Sequence, residues 1–110
     1  MAIKDLTKIR KHLFLCNGGS CKLLGAEEST AAIREAIAAC NLSEEIHTTK
    51  TLCNGRCKDG PVVISQPDGI WFNKMVKEKA EEFVWEYFVE QHIPEDKVLF
   101  EYGDDLIRNS

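Results

Sequence analysis

Four of the five cysteines in this 110-residue chain fall into two close pairs, Cys16 with Cys21 and Cys53 with Cys57. Four thiolates from two such pairs are the ligand set of an iron-sulfur cluster, and zinc accepts closely paired cysteines as well. Glycines at 18, 19, 55 and 60 lie within or beside the pairs. Without a side chain they let backbone N–H groups approach the sulfurs, and hydrogen bonds of that kind tune a bound cluster. A dithiol oxidoreductase would place Cys-x-x-Cys at a helix N-terminus, and neither pair has that spacing.

The remaining candidates have plainer readings. Cys40 follows Ile33 by seven residues on an apolar helical stripe and reads as a small packed hydrophobe. His12, His47 and His92 do not interleave with the cysteines as in a Rieske centre, so they read as surface or strand-end residues. Arg56 and Lys58 beside the second pair, with Lys22 beside the first, predict a local positive rim that raises the potential of a bound centre or meets a partner, plain solvated loop charges being the alternative. No nucleophile has a neighbouring base, no glycine loop cradles phosphate, and no carboxylate pair marks a pocket. The expectation is therefore an electron-transfer protein without a catalytic site of its own.

The elements that must position the cysteines follow from periodicity and turn residues. His12 to Leu15 reads as a strand ending in the turn-rich stretch from Cys16 to Cys21, which places the first pair on a loop. Glu27 to Asn41 carries Ile33, Ile37 and Cys40 at helical spacing in an Ala-rich background. Ile46 to Leu52 reads as a second strand running into the second cysteine loop. Pro61 to Ser65, the turn Gln66-Pro67-Asp68-Gly69 and Ile70 to Phe72 form a hairpin. Lys74 to Gln91 is an amphipathic helix with Val76, Ala80, Phe83, Val84, Tyr87 and Phe88 on one face, closed by Pro94. The order β-α-β-β-β-α predicts an α/β domain with a four-stranded mixed sheet, the plan of a thioredoxin-like core. Pro61 stands where thioredoxins have a cis-proline.

Length and composition bound the rest. A chain of this size with 44% apolar residues fits a single domain, residues 1 to 110, with a core from about 12 to 93 and a C-terminal tail from 94 to 110, loosely held from Asp104 onward. The net charge of −4 is uneven: +3 over residues 1 to 12, zero over 13 to 77 and −7 over 78 to 110. That distribution argues against nucleic acid as a partner. No apolar run is long enough for a membrane span or an export signal, and five cysteines in such a chain predict metal or redox chemistry in the cytoplasm. Trp85 and Val89 form a second apolar strip behind the last helix, expected to meet either Val98-Leu99-Phe100 of the tail or a second copy of the chain.

The paired cysteines, the run Cys57-Lys58-Asp59-Gly60-Pro61-Val62-Val63, and Asp68-Gly69-Ile70-Trp71-Phe72 ahead of a helix ending in Gln91-His92-Ile93 resemble the thioredoxin-like 2Fe-2S ferredoxin family over roughly Leu13 to Ile93. That family includes the small cluster-bearing subunit of respiratory complex I and of bifurcating hydrogenases. The resemblance implies one 2Fe-2S cluster on Cys16, Cys21, Cys53 and Cys57, one-electron transfer with redox partner proteins, and a homodimer as in stand-alone relatives. Four residues between the first two cysteines is the spacing of the complex I type. A cluster-bearing relay subunit or accessory component of a larger oxidoreductase or biosynthetic complex is accordingly the alternative to a diffusing carrier, and a zinc-stabilised interaction module the weaker one.

Overall fold

The computed structural model describes residues 4 to 109, except for the side chain of Cys57. Five strands form one mixed sheet in the order β2-β1-β3-β4-β5. β1 (Lys11–Cys16) pairs in parallel with β2 (Ile46–Thr51) and antiparallel with β3 (Val63–Gln66). β3 turns into β4 (Ile70–Phe72), and β4 carries β5 (Val98–Glu101) on its outer edge. The parallel pair, the crossover helix and the hairpin match the sequence reading. The fifth strand corrects the expected four.

β5 lies within the stretch assigned to the tail. It is only four residues long and flanked by charges, the usual disguise of an edge strand, yet Val98 and Leu99 are each 1% exposed. The residues beyond it are also tied down, contrary to the expected loose end. Arg108 donates its backbone N–H to Leu99 O at 2.6 Å, and Asn109 Nδ2 donates to Val98 O at 2.7 Å. Ser110 lies outside the described residues.

Helices α2 (Ala26–Ala39) and α3 (Lys77–Val84) share one face of the sheet. Leu13, Leu15, Ile46, Val63 and Phe72 from the strands meet Ile33 and Ile37 from α2 and Ala80, Phe83 and Val84 from α3 in one core. Alternation along the strands dictates this, because residues two apart in a strand face the same side. Both helices start at the same end of the sheet. Ser29, in the first turn of α2, donates its hydroxyl to Met75 O, and Met75 N–H bonds Pro61 O at 3.0 Å. Arg10 at the start of β1 reaches Phe88 O at 3.4 Å at the other end. The bonds preceding Pro61 and Pro67 are both cis.

The hairpin turn is anchored by a small polar network. Asp68 takes Lys11 Nζ at 2.5 Å and the Tyr87 hydroxyl, which also bonds Ser65 Oγ at 2.8 Å. Burial and the Asp68 contact push the Tyr87 phenol far above its usual range. Burial would raise Asp68, but hydrogen bonds from Lys11 and Tyr87 outweigh it and hold the carboxyl below its ordinary 3.8. A depressed carboxylate stabilises the fold at pH above its unfolded value and loses that contribution as pH falls through the lower folded value. Asp68→Asn should therefore lower stability at neutral pH and flatten the acid limb below about pH 4 in circular-dichroism unfolding profiles. An acid limb as steep as that of the unaltered protein would show that Asp68 takes no part.

Candidate metal centre

The cysteine pairs stand at the end of the sheet where β1 and β2 finish, as the parallel pairing requires. Cys16 closes β1, and Asn17 N–H bonds Thr51 O at 2.8 Å, which fastens the first loop to the end of β2. Cys21 is not on a loop, as expected, but in the short helix α1 (Gly19–Leu23). Five residues starting at Gly19 carry too little periodicity to reveal a helix. Cys53 lies exposed after β2, and the backbone of Cys57 opens the single turn Cys57–Asp59. Cys16 and Cys21 are each 3% exposed and pack with Ala26, Val62 and Ile64 in a second apolar cluster. Cys40, by contrast, caps α2 and packs against the main core, as its spacing predicts.

Cys16, Cys21 and Cys53 line one narrow cleft together with Gly18, Asn54 and Arg56. Burial alone would raise the Cys16 thiol, but hydrogen bonds from the Gly18 N–H, the Asn54 side chain, the Cys21 thiol and the Asn54 N–H hold it below its ordinary value. Cys21 takes the opposite shift: burial, its hydrogen bond to Cys16 and the nearby charges of Cys16 and Cys53 push it up to about 11. Gly55 N–H donates to Cys53 Sγ at 3.3 Å. The cleft thus favours negative charge on sulfur at Cys16. Among the described residues no three Cys, His, Asp or Glu side chains are spaced to hold a single ion.

Two glycines set the spacing of this cleft. A Cβ on Gly18 would stand 2.8 Å from both Cα and N of Cys53, and one on Gly60 would stand 2.7 Å from Cys21 Sγ. Gly18 therefore lets the two cysteine loops touch, and Gly60 lets Cys21 turn inward. Gly19 has no such neighbour, so its place in the expected glycine set is only that of a helix start.

The charged rim differs from expectation. Arg56 is committed to Asp59, with Nε and Nη2 each 2.8 Å from Oδ2, and the Asp59 side chain is 6% exposed. This pair braces the second loop and leaves little free positive charge at Arg56. Lys22 stands 3.8 Å from Glu27, while Lys58 is exposed. Asn17, Asn54 and Asp59 were not singled out from sequence. Asn17 is 4% exposed and donates Nδ2 to Leu15 O at 3.0 Å and Thr30 Oγ1 at 3.1 Å. Asn54 donates to Thr51 Oγ1 at 2.8 Å. The signal was the tripeptide Cys-Asn-Gly, which occurs at 16 to 18 and again at 53 to 55, since Asn before Gly favours local side-chain hydrogen bonds in turns.

No family model matches the chain. Among curated relatives, a protein of Priestia megaterium named as a 2Fe-2S ferredoxin is 41% identical over 98 residues, covering 89% of this chain and 76% of its own. A 2Fe-2S ferredoxin of Aquifex aeolicus is 34% identical over 83 residues, covering 67% and 75%. A solved structure of a thioredoxin-like 2Fe-2S ferredoxin from Aquifex aeolicus superposes with a TM-score of 0.80 at 28% identity, over 87% of this chain and 96% of that one. The chain belongs to the thioredoxin-like 2Fe-2S ferredoxin family. As a ferredoxin fold it keeps both main helices on one side of the sheet, and its donor set at the cleft is thiol, the ligand type that iron-sulfur centres use. The residues present fit the group that names the family. No helix among the described residues is long and apolar enough to cross a membrane.

Proposed function

We propose that the protein is a one-electron carrier that holds a single 2Fe-2S cluster on Cys16, Cys21, Cys53 and Cys57, and that it has no catalytic residue of its own. The observation that carries this reading is the cleft itself, in which Cys16 and Cys21 meet Cys53 across Gly18 with almost no room for any other side chain. When bound, such a cluster takes up and releases one electron. The chain's part is to supply thiolates, to aim the Gly18 and Gly55 N–H groups at Cys16 and Cys53, and to exclude water around the buried Cys16 and Cys21. The start of α2 and α3 at that end adds positive helix-dipole potential. A cluster held on cysteine thiolates suits a reducing compartment such as the cytoplasm. Stepwise reduction of anaerobically purified protein should bleach its visible absorbance reversibly with one electron per chain. Absorbance that does not respond to reductant, or two electrons consumed per chain, would contradict the reading.

A homodimer is part of the same proposal, though not on the strip first expected. Val98 and Leu99 are buried in β5 and so do not cover Trp85, and the surroundings of Trp85 are too acidic to favour a second identical face. The sheet face opposite α2 and α3 suits self-association better. Phe14, Ile64, Trp71 and Phe100 stand in register there across β1, β3, β4 and β5, and that face is covered at its cysteine end by packing around Cys21 and Ala26. Sedimentation should show a dimer at tens of micromolar that Phe14→Glu dissociates, tens of micromolar being an order-of-magnitude choice for a weak interface. A monomer at that concentration would sink the dimer and leave the carrier reading untouched.

A further inference from the structure

On the helical side of the molecule a groove of about 830 Å³ runs between α2 and the segment from Lys77 to Glu90. Its floor is built from the small side chains of Ala32, Ala36 and Ala39, and Trp85 stands along it 51% exposed. Small residues on the floor let another helix approach closely. At Trp85 the helix widens into a π turn, Trp85–Val89, in which Glu90 N–H bonds Trp85 O at 3.0 Å. Such turns recur at functional sites.

The rim is acidic. Glu35, Glu78, Glu81 and Glu90 line the groove without an ion-pair partner among the described residues, and Lys77 is the one basic residue lining it. Unpaired like charges held along a groove repel one another, and an incoming cationic surface relieves that repulsion while being steered toward it. A second copy of this chain is a poor occupant. A two-fold contact would set the acidic rim against itself, and the chain's basic N-terminal stretch is already engaged, Arg10 with Glu45 at 2.8 Å and Lys11 with Asp68 at 2.5 Å.

We propose that this groove docks a cationic amphipathic helix of a partner protein, with an apolar side chain laid on Trp85 and its lysines or arginines against the glutamate rim. This is the helix-in-groove mode of recognition. The groove begins roughly 9 Å along α2 from the end that faces the cysteines and continues to roughly 20 Å, at 1.5 Å per residue. A partner held there leaves the cysteine cleft open, so docking and electron exchange use different surfaces.

The test uses the cluster-loaded protein and a fluorescein-labelled helical peptide with leucines on one face and lysines on the other, followed by polarisation. Trp85→Ala should weaken binding by about tenfold or more, as loss of an aromatic anchor does. The triple variant Glu35→Gln, Glu78→Gln, Glu81→Gln should weaken it too and flatten its salt dependence. Glu44→Gln with Asp105→Asn removes two exposed acids outside the groove and should change binding by about twofold or less. Visible absorbance of each variant confirms that the cluster is present. Equal weakening in the control would mean that any acidic surface suffices, and undiminished binding by Trp85→Ala would mean that the groove is not the site. A homodimer that Trp85→Ala dissolves would give the groove to self-association. Each of these three results overturns the proposal.

Discussion

Alanine at any one of Cys16, Cys21, Cys53 and Cys57 is expected to abolish or severely deplete the visible chromophore, whereas Cys40→Ser leaves it intact. The contrast follows from place in the fold. Cys16, Cys21 and Cys53 line the cleft where the two loops meet, and Cys57 follows four residues behind Cys53 in the second loop. Cys40 caps the far end of α2 and packs on the main core, roughly 20 Å along the helix axis from the cysteine end. Removing a sulfur from the cleft deletes a ligand without opening a large cavity, so the four variants should keep their far-ultraviolet dichroism while losing colour. Full colour in one of them would remove that cysteine from the ligand set. Loss of colour in Cys40→Ser would overturn its assignment to packing.

Gly18→Ala should be nearly as damaging, although it touches no sulfur. Its Cβ would meet the Cα and N of Cys53 at 2.8 Å and the Cβ at 3.0 Å. Those are backbone and near-backbone atoms that cannot rotate away, so the loops must separate. Overpacking of this kind costs about 1–3 kcal/mol, or about five- to 150-fold in an equilibrium constant. The control is one residue away, because a Cβ on Gly19 meets nothing within 4 Å. The half-life of the chromophore in the presence of an iron chelator should fall steeply in Gly18→Ala and barely move in Gly19→Ala. Matching half-lives in the two variants would show that the loops do not need their close approach.

Much of this architecture is written in the sequence at the level of pattern. The 3.6-residue spacing of Ile33, Ile37 and Cys40, and that of Ala80, Phe83 and Tyr87, gives both long helices. The first cysteine pair and Cys53, each following a strand, meet in one cleft as that order implies. What escaped sequence reading depends on contacts between distant residues. β5 is short and looks like part of a charged tail until Phe72 and Val98 are seen to pair. Arg56 looks like a free cation beside a ligand loop until the buried carboxylate of Asp59 is found 2.8 Å away. Gly18 and Gly60 look like ordinary loop glycines, and only the approach of Cys53 and Cys21 shows why a side chain has no room there. The acidic groove around Trp85 needs α2 and α3 side by side, which no single helix pattern contains.

The most direct measurement is the iron and acid-labile sulfide content of anaerobically purified protein, taken together with zinc. Two irons and two sulfides per chain with negligible zinc are the expected result. Stoichiometric zinc without sulfide would contradict it and leave the four cysteines as ligands of a structural metal.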